Sequence, residues 1–174
     1  MELRLNLLFL GVVTAATAAL TTSEPYAALD PTAKAARSLG GLEDAFARDP
    51  GSEPALLALV DAYFDQSRPE LVIAAVHRAR GASGDSPETV HRLARAYESL
   101  GRFTDARTAA DRAFEGCRRV PDSRCSTRRL AIFEIHRGAL GRIVAMGIDD
   151  PRDERIQRAY DQAMRRIDVV LSGG

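Results

Sequence analysis

The chain has 174 residues, of which 45% are hydrophobic, with 24 basic and 24 acidic side chains, and this length suits one domain. The balance of charge excludes a disordered polyelectrolyte, and the apolar content is sufficient for a packed core. Zero net charge gives no general reason to expect nucleic acid as a partner. With three histidines and two cysteines, we expect neither a metal centre nor a cofactor.

Residues 1–20 have the layout of a secretory signal peptide. Arg4 is followed by an apolar run and then by small residues, with a cleavage site of the A-x-A type at residues 16–18. The run is short for a membrane span, which needs about 20 strongly apolar residues, so an uncleaved N-terminal membrane anchor is the less favoured alternative. We therefore expect an exported protein, periplasmic or extracellular, with a linker over residues 21–30 and a single helical-repeat domain over residues 31–174.

Residues 52–85 and 86–119 repeat one another at a spacing of 34. Eight of the 34 positions are identical in the two segments, where this composition gives about three by chance. The identical pairs are Ser52/Ser86, Leu59/Leu93, Ala62/Ala96, Tyr63/Tyr97, Arg68/Arg102, Ala75/Ala109, Arg78/Arg112 and Ala79/Ala113. The spacing predicts two copies of one helical unit.

Each unit has the apolar pattern of two consecutive helices. In the first helix the apolar residues stand at i, i+3, i+4 and i+7, which places them on one face: Leu56, Leu59, Val60 and Tyr63 in one unit, and Val90, Leu93, Ala94 and Tyr97 in the other. In the second helix, Val72, Val76 and Ala79 correspond to Ala106, Ala110 and Ala113. Ser52 and Ser86 are predicted N-caps, and Gly101 is predicted to end a helix.

The second unit resembles the tetratricopeptide repeat. The residues that carry the resemblance are Leu93-Ala94-x-x-Tyr97, the turn glycine Gly101, the aromatic Phe103, and the small residues Ala106 and Ala113. The first unit departs from the pattern, since Val60 and Val72 replace the small pair and Pro69 replaces the aromatic, so it is expected to pack less tightly. Residues 31–48 look like the second helix of an earlier repeat, interrupted at Gly40-Gly41. The resemblance covers about residues 36–119, and the alternative is an ordinary helical bundle.

Beyond residue 120 the repeat spacing is lost. Apolar residues predict a long helix from about 124 to 147, and Asp150-Pro151 predicts the start of a last helix, with Ala159 and Ala163 at close-packing positions. We interpret residues 123–172 as a terminal hairpin that closes the stack. The predicted fold is all-α. By the resemblance, its antiparallel helical hairpins would stack as a short tetratricopeptide-like right-handed solenoid, closed by this long C-terminal hairpin.

No arrangement of residues in the sequence points to catalysis. His77, His91 and His136 lack metal-ligand spacing, and there is no phosphate-binding glycine loop. We expect His77 and His136 to be solvent-facing or interhelical polar residues. The sequence therefore predicts no catalytic residues, and the protein is not expected to be an enzyme.

Charge is distributed unevenly along the chain. Residues 21–116 carry 11 basic and 15 acidic side chains, whereas residues 117–174 carry 12 and 8. One interpretation is a site for an anionic partner, built from Arg118, Arg119, Arg124, Arg128 and Arg129. The other is an ordinary solvated face in a protein that has 23 arginines and one lysine. Nucleic acid is not the expected partner.

The first helices of the two repeats are expected to line a concave groove. Residues off the core stripe should point into that groove: Leu57, Asp61 and Phe64, and at the same repeat positions His91, Arg95 and Glu98. The alternative for Phe64 is a packed position under the Gly40-Gly41 segment or the first turn. The preferred function is a non-catalytic, exported module that binds a protein or peptide there. The alternative is a structural or assembly subunit of a cell-envelope complex.

Two cysteines lie eight residues apart in a chain that is expected to be exported. We predict a disulfide between Cys117 and Cys125, because export places thiols in an oxidising environment. It would fasten the terminal hairpin to the repeats. The alternative is a pair of buried free thiols.

Overall fold

The computed structural model describes residues 38–119 and 125–172, with side chains up to residue 165. In these ranges it contains α-helices, one 3-10 turn and no strand, which confirms the predicted all-α class. The helices are α1 (Leu39–Arg48), α2 (Glu53–Asp65), α3 (Pro69–Arg78), α4 (Pro87–Ser99), α5 (Phe103–Arg119), α6 (Thr127–Ala145) and α7 (Arg155–Ser172), and the 3-10 turn is Gly81–Ser83. The predicted signal peptide at residues 1–20, the predicted linker at residues 21–30, and Arg124 lie outside the described residues.

The chain divides into two units, Met1–Gly41 and Leu42–Gly174. In the described part of the first unit, α1 begins at Leu39, so Gly40 and Gly41 lie inside its first turn and do not interrupt a helix, contrary to the prediction. The backbone N–H of Gly41 donates to the Ser38 hydroxyl at 3.1 Å, a side-chain bond typical of a helix start. The second unit contains the rest of α1, from Leu42, and helices α2 to α7.

The predicted N-caps are confirmed in both repeats. The Ser52 hydroxyl accepts from the backbone N–H of Ala55 at 3.4 Å, and the Ser86 hydroxyl accepts from that of Thr89 at 3.2 Å. Each cap satisfies an N–H group that has no partner inside the helix, which stabilises a helix by about 1 kcal/mol.

Gly101 ends α4, as predicted, in the left-handed backbone region with φ 71°. The N–H groups of Gly101 and Arg102 donate back to the carbonyl oxygens of Glu98 and Tyr97, each at 2.9 Å, which is the Schellman pattern. The same pattern ends α2 at Ser67 (φ 55°) and α6 at Gly147 (φ 65°). Ser67 in the first repeat is equivalent to Gly101 in the second, so the first helix of each repeat ends with the same kind of turn.

Each helix from α2 onward packs against the next one in the chain, and α2 also contacts α4 directly. The predicted core stripes of α2 and α4 are buried, with Tyr97 half-buried at the end of its stripe. The close pair Ala94 and Ala106 is fully buried between α4 and α5. The corresponding Val60 and Val72 are also fully buried, so the first repeat accommodates the bulkier pair without exposing it.

Helix α7 begins four residues later than the sequence predicts. Pro151 lies in a turn, and Asp153 caps the helix, because its carboxylate accepts from the backbone N–H of Arg155 at 2.8 Å. Ala159 and Ala163 are buried, as the small-residue spacing predicts. A Cβ atom added at Gly138 of α6 would lie 3.7 Å from Cβ of Ala163, so small residues on both helices allow α6 and α7 to approach closely.

Candidate functional site

Three of the predicted groove residues lie on one face of α4. His91, Arg95 and Glu98 are spaced i, i+4 and i+7, and side chains at this spacing share a helix face. Arg95 is exposed, whereas His91 and Glu98 are partly covered by side chains from α6 and α7. This face of α4 is the base of the candidate site.

His136 of α6 is buried and bridges two of these residues. Its Nδ1 lies 3.0 Å from Nε2 of His91, and its Nε2 lies 3.0 Å from Oε2 of Glu98. A carboxylate only accepts hydrogen bonds, so Nε2 of His136 is assigned the proton that it donates to Glu98. The bond between His136 and His91 joins two ring nitrogens, of which one donates and the other accepts.

Tyr160 of α7 completes the network by donating its hydroxyl proton to Oε1 of Glu98 at 2.6 Å. Both oxygens of the Glu98 carboxylate are therefore hydrogen-bonded. Burial by itself would raise the pKa of Glu98, but the hydrogen bond and charge of His136, with the bond from Tyr160, outweigh burial and lower that pKa. Burial and the adjacent carboxylate raise the pKa of Tyr160. Glu98 therefore stays ionised, and Tyr160 keeps the hydroxyl proton that it donates to Glu98.

The His91 ring is held between the network and the core. It stacks on Phe133 with ring centroids 4.4 Å apart and an interplanar angle of 29°. Burial, together with the charges of His136 and Arg95, lowers the pKa of His91 to about 3. His91 is therefore neutral at physiological pH, which makes it a structural ring and a poor proton acceptor.

A cleft of about 260 Å³ opens beside this network. It is lined by His91, Arg95, Glu98, Ile132, Ile135, His136 and Tyr160. Ile132 is 47% exposed, which is unusual for a large aliphatic side chain next to a buried polar cluster. The cleft therefore combines a hydrogen-bonded polar floor with an aliphatic wall.

Arg95 connects this cleft to two other features. Its guanidinium carbon lies 4.7 Å from the centroid of the Phe64 ring, so the two residues form a cation–π pair between α4 and α2. Arg95 and Glu98 also line a second cleft of about 540 Å³, whose other residues are Ser99, Phe103, Pro151, Arg152 and Ile156. Phe64 of α2 and Arg95 of α4 thus form a shared surface, here called the α2–α4 face, and Arg95 connects it to both clefts.

Asp61 and Leu57 belong to a different part of the same surface. Arg92 donates to both carboxylate oxygens of Asp61, at 2.8 and 3.1 Å. Its guanidinium also lies 2.6 Å from one carboxylate oxygen of Glu88. The other carboxylate oxygen of Glu88 lies 2.9 Å from the guanidinium of Arg129. This charged ladder links α2, α4 and α6. Leu57 is half-buried and lines a cleft of about 790 Å³ together with Glu88, Arg92 and Arg129.

The predicted basic patch is partly neutralised in the structure. Arg129 is paired with Glu88 in the ladder, and Arg118 lies 3.3 Å from Glu115. Arg119 and Arg128 are exposed. The patch therefore offers less free positive charge than the sequence suggests.

Cys117 and Cys125 lie at disulfide distance, with Cα atoms 5.3 Å apart. Cys117 is buried in the last turn of α5, and Cys125 precedes α6. The pair thus lies at the junction between the second repeat and the terminal hairpin, where the sequence placed it.

In residues 38–119 and 125–172, no group of three or more His, Cys, Asp or Glu side chains is placed to hold a metal ion. None of the helices in those ranges is long and apolar enough to cross a membrane.

The sequence analysis missed His136 and Tyr160 as parts of the site. A signal was present for His136, which stands three residues after Phe133 and seven before Ile143, in register with the core stripe of α6. Tyr160 similarly follows Ile156 by one helical turn. A polar residue at a core position marks a buried hydrogen-bonding partner.

No protein-family model matches this sequence, and comparisons with curated proteins and with solved structures find no similar protein. The resemblance to the tetratricopeptide repeat therefore depends on the residues quoted for it in the sequence.

Proposed function

We propose that this protein is a non-catalytic, exported helical-repeat module that binds a protein or peptide segment along the α2–α4 face. In this proposal the helices form antiparallel hairpins stacked as a short, right-handed, tetratricopeptide-like solenoid, which the α6–α7 hairpin closes. Such stacks recognise extended or helical segments on the face formed by their first helices.

The repeat architecture is supported by features that recur at a spacing of 34 residues. Ser52 and Ser86 cap α2 and α4 in the same way, and Ser67 and Gly101 end those helices with the same left-handed turn. The direct contact between α2 and α4 is the one expected when the first helices of neighbouring repeats lie side by side. Equivalent residues thus have equivalent structural roles.

The Phe64–Arg95 pair is the observation that carries the proposed binding face. Arg95 is exposed, and Phe64 is a half-buried aromatic at a position where a polar residue would suffice for solubility. Aromatic and arginine side chains are the residues most often responsible for binding energy at protein interfaces. The pair is predicted by the sequence, formed across two helices in the structure, and continuous with two clefts.

The His136–Glu98 pair supports binding rather than catalysis. Both oxygens of Glu98 already accept hydrogen bonds, and the lowered pKa of His91 keeps that ring neutral. General acid–base catalysis requires a group that can exchange a proton near neutral pH with a bound substrate. Instead, this network fixes the relative positions of α4, α6 and α7 beneath the cleft.

Export is supported by the signal-peptide pattern of residues 1–20 and by the cysteine pair. Two cysteines at disulfide distance suit an oxidising compartment, since cytosolic proteins generally keep their thiols reduced.

The proposal is tested with peptides selected by the wild-type domain from a random display library. Replacing Phe64 by Ala should weaken binding of the selected peptides about 30-fold, which corresponds to about 2 kcal/mol for an interface hot spot. Fluorescence anisotropy measures the dissociation constants, and denaturant unfolding measures the stability of each variant.

The chain contains a matched control in Phe114. The guanidinium carbon of Arg137 lies 4.0 Å from the Phe114 ring centroid, so Phe114→Ala also removes a cation–π pair from a half-buried aromatic, but on α5. Phe114→Ala should leave peptide binding within about twofold of wild type. The proposal fails if the library yields no binding peptide, if both variants bind equally well, or if Phe64→Ala costs several kcal/mol of stability, since Phe64 would then be core.

The alternative, a structural subunit of a cell-envelope complex, is favoured by exposed apolar side chains. Ile132, Met146 and Met164 are 47%, 41% and 42% exposed. A permanent interface covering these residues predicts a stable oligomer or complex, which light scattering coupled to size-exclusion chromatography would detect. A monomer that binds the selected peptides would support the peptide-binding proposal over the assembly alternative.

A further inference from the structure

Two arginines from different parts of the chain line the 540 Å³ cleft. Arg95 comes from the last turns of α4, and Arg152 comes from the turn that precedes α7. Among the described residues, neither guanidinium has a carboxylate oxygen within 4.0 Å, whereas Arg92 has two such partners close by. Both arginines are exposed, so their N–H groups are accessible to an external anion.

The acidic residue in this cleft has both carboxylate oxygens occupied by other donors. Glu98 accepts hydrogen bonds from His136 and Tyr160, one to each oxygen, and no ion pair joins it to Arg95 within 4.0 Å. The charges that line the cleft are therefore two arginines and one occupied carboxylate. This excess of positive charge favours an anionic group.

The adjoining 260 Å³ cleft has a different character. It shares Arg95 and Glu98 with the larger cleft, but Ile132 and Ile135 form its wall. A ligand that fills both clefts would therefore place an anionic group in the larger cleft and an aliphatic group in the smaller one. A protein segment with an acidic side chain close to an aliphatic one has this chemistry.

We propose that the Arg95–Arg152 cleft binds an acidic side chain of the partner segment, and that the Ile132–Ile135 cleft binds an aliphatic side chain of the same segment. This inference rests on the proposed function, and it adds the chemistry of the partner. A planar guanidinium binds a carboxylate through two parallel hydrogen bonds, which makes the recognition geometrically selective.

The test uses a panel of synthetic peptides that are acetylated and amidated, so that neither terminus is charged. Each peptide carries one Glu and one Leu at a varied spacing, and each has two matched versions in which Glu is replaced by Gln or Leu by Ser. The wild-type domain should bind the best Glu-Leu peptide about tenfold more tightly than either matched version, a difference of about 1.4 kcal/mol.

Variants of the two arginines assign the preference to the cleft. Arg152→Gln should reduce the Glu-over-Gln preference towards one while leaving the Leu-over-Ser preference in place, because Arg152 does not line the Ile132–Ile135 cleft. Arg95→Gln should reduce the Glu-over-Gln preference as well. Arg78→Gln is the matched control, because Arg78 is an exposed arginine of α3 outside both clefts, and it should keep both preferences. Circular dichroism melting checks that each variant is folded.

Several outcomes would overturn the inference. One is equal binding of the Glu and Gln peptides, and another is a Glu preference that survives both arginine substitutions. A third is Arg95-dependent binding of peptides with a free C-terminal carboxylate and no acidic side chain, which would assign the cleft to a chain terminus. Failure of the proposed function gives a different pattern, in which no peptide of the panel binds and Phe64→Ala has no effect on library-selected peptides.

Discussion

Acidification should destabilise this protein through His91 well before its carboxylates are protonated. His91 has an ordinary pKa of 6.5 in the unfolded chain, and burial against Phe133 and His136 lowers its pKa to about 3 in the folded protein. Between these two values the unfolded chain binds a proton that the folded protein does not. The free energy of unfolding must therefore fall as the pH falls through this interval.

The magnitude follows from the two pKa values. Inside the interval, one such histidine changes the free energy of unfolding by about 1.4 kcal/mol per pH unit. Between pH 7 and pH 5 the integrated loss is about 2 kcal/mol, because the unfolded-state histidine is only partly protonated near pH 7. Glu98 has a lowered pKa, so its contribution is lost only as the pH falls below the ordinary glutamate value of 4.5. The range from pH 7 to pH 5 therefore lies above the interval in which the contribution of Glu98 is lost.

Denaturant unfolding at pH 7, 6 and 5 measures this loss, with the slope against denaturant checked for constancy. His91→Gln should reduce the loss between pH 7 and pH 5 by about 2 kcal/mol, whatever it does to the absolute stability. His77→Gln is the matched control, since His77 is exposed on α3, and it should keep the wild-type loss. A nitrogen-detected NMR titration of the wild type should show the His91 ring still neutral at pH 5.

If His91→Gln loses as much stability as wild type between pH 7 and pH 5, His91 is not the cause of the loss. A ring nitrogen of His91 that titrates above pH 5 in the folded protein would exclude His91 as the cause equally, and that measurement does not require the variant to fold.

Two further predictions concern helix ends and the cysteine pair. Ser67→Gly should raise the free energy of unfolding by about 1 kcal/mol, because Ser67 holds a left-handed φ of 55°. Gly101→Ala should lower the free energy of unfolding by about 2 kcal/mol or more, because its new Cβ would lie 2.7 Å from the carbonyl oxygen of Asp149. Equal effects of the two substitutions in denaturant unfolding would contradict this account. Mass spectrometry of the exported protein, alkylated without reduction, should detect no free thiol at Cys117 or Cys125. Reduction of the disulfide should lower the free energy of unfolding by about 2–3 kcal/mol. Detection of two alkylated cysteines would contradict the predicted disulfide.

Local patterns predict the helices and their ends well, because each depends on few neighbouring residues. Ser52 and Ser86 are caps, Gly101 is a left-handed helix end, and the stripe from Leu56 to Tyr63 is core. The start of α7 and the predicted interruption at Gly40-Gly41 are exceptions. Asp150-Pro151 resembles a helix start, but Asp150 instead forms a turn by accepting from the Arg152 N–H at 2.8 Å.

The candidate site is less predictable, because its contacts join residues far apart in the sequence. The pairing of Phe64 with Arg95 can be anticipated, since both lie on one face of repeated helices. The Glu98–Tyr160 bond spans 62 positions and depends on where the terminal hairpin packs, which no repeat spacing describes. Arg92 is half-buried and pairs with Asp61, which the groove hypothesis had left free to bind a partner.

The most direct test of the binding face is a map of where a peptide binds. Backbone amide signals of the isotope-labelled domain should be recorded by NMR before and after addition of the tightest library-selected peptide. We expect the largest shift changes near Phe64 and Arg95 and in the parts of α6 and α7 that line the two clefts, with small changes on α3. Changes concentrated instead around Arg118, Arg119 and Arg128 would contradict the account, because the peptide would then bind the basic patch rather than the α2–α4 face.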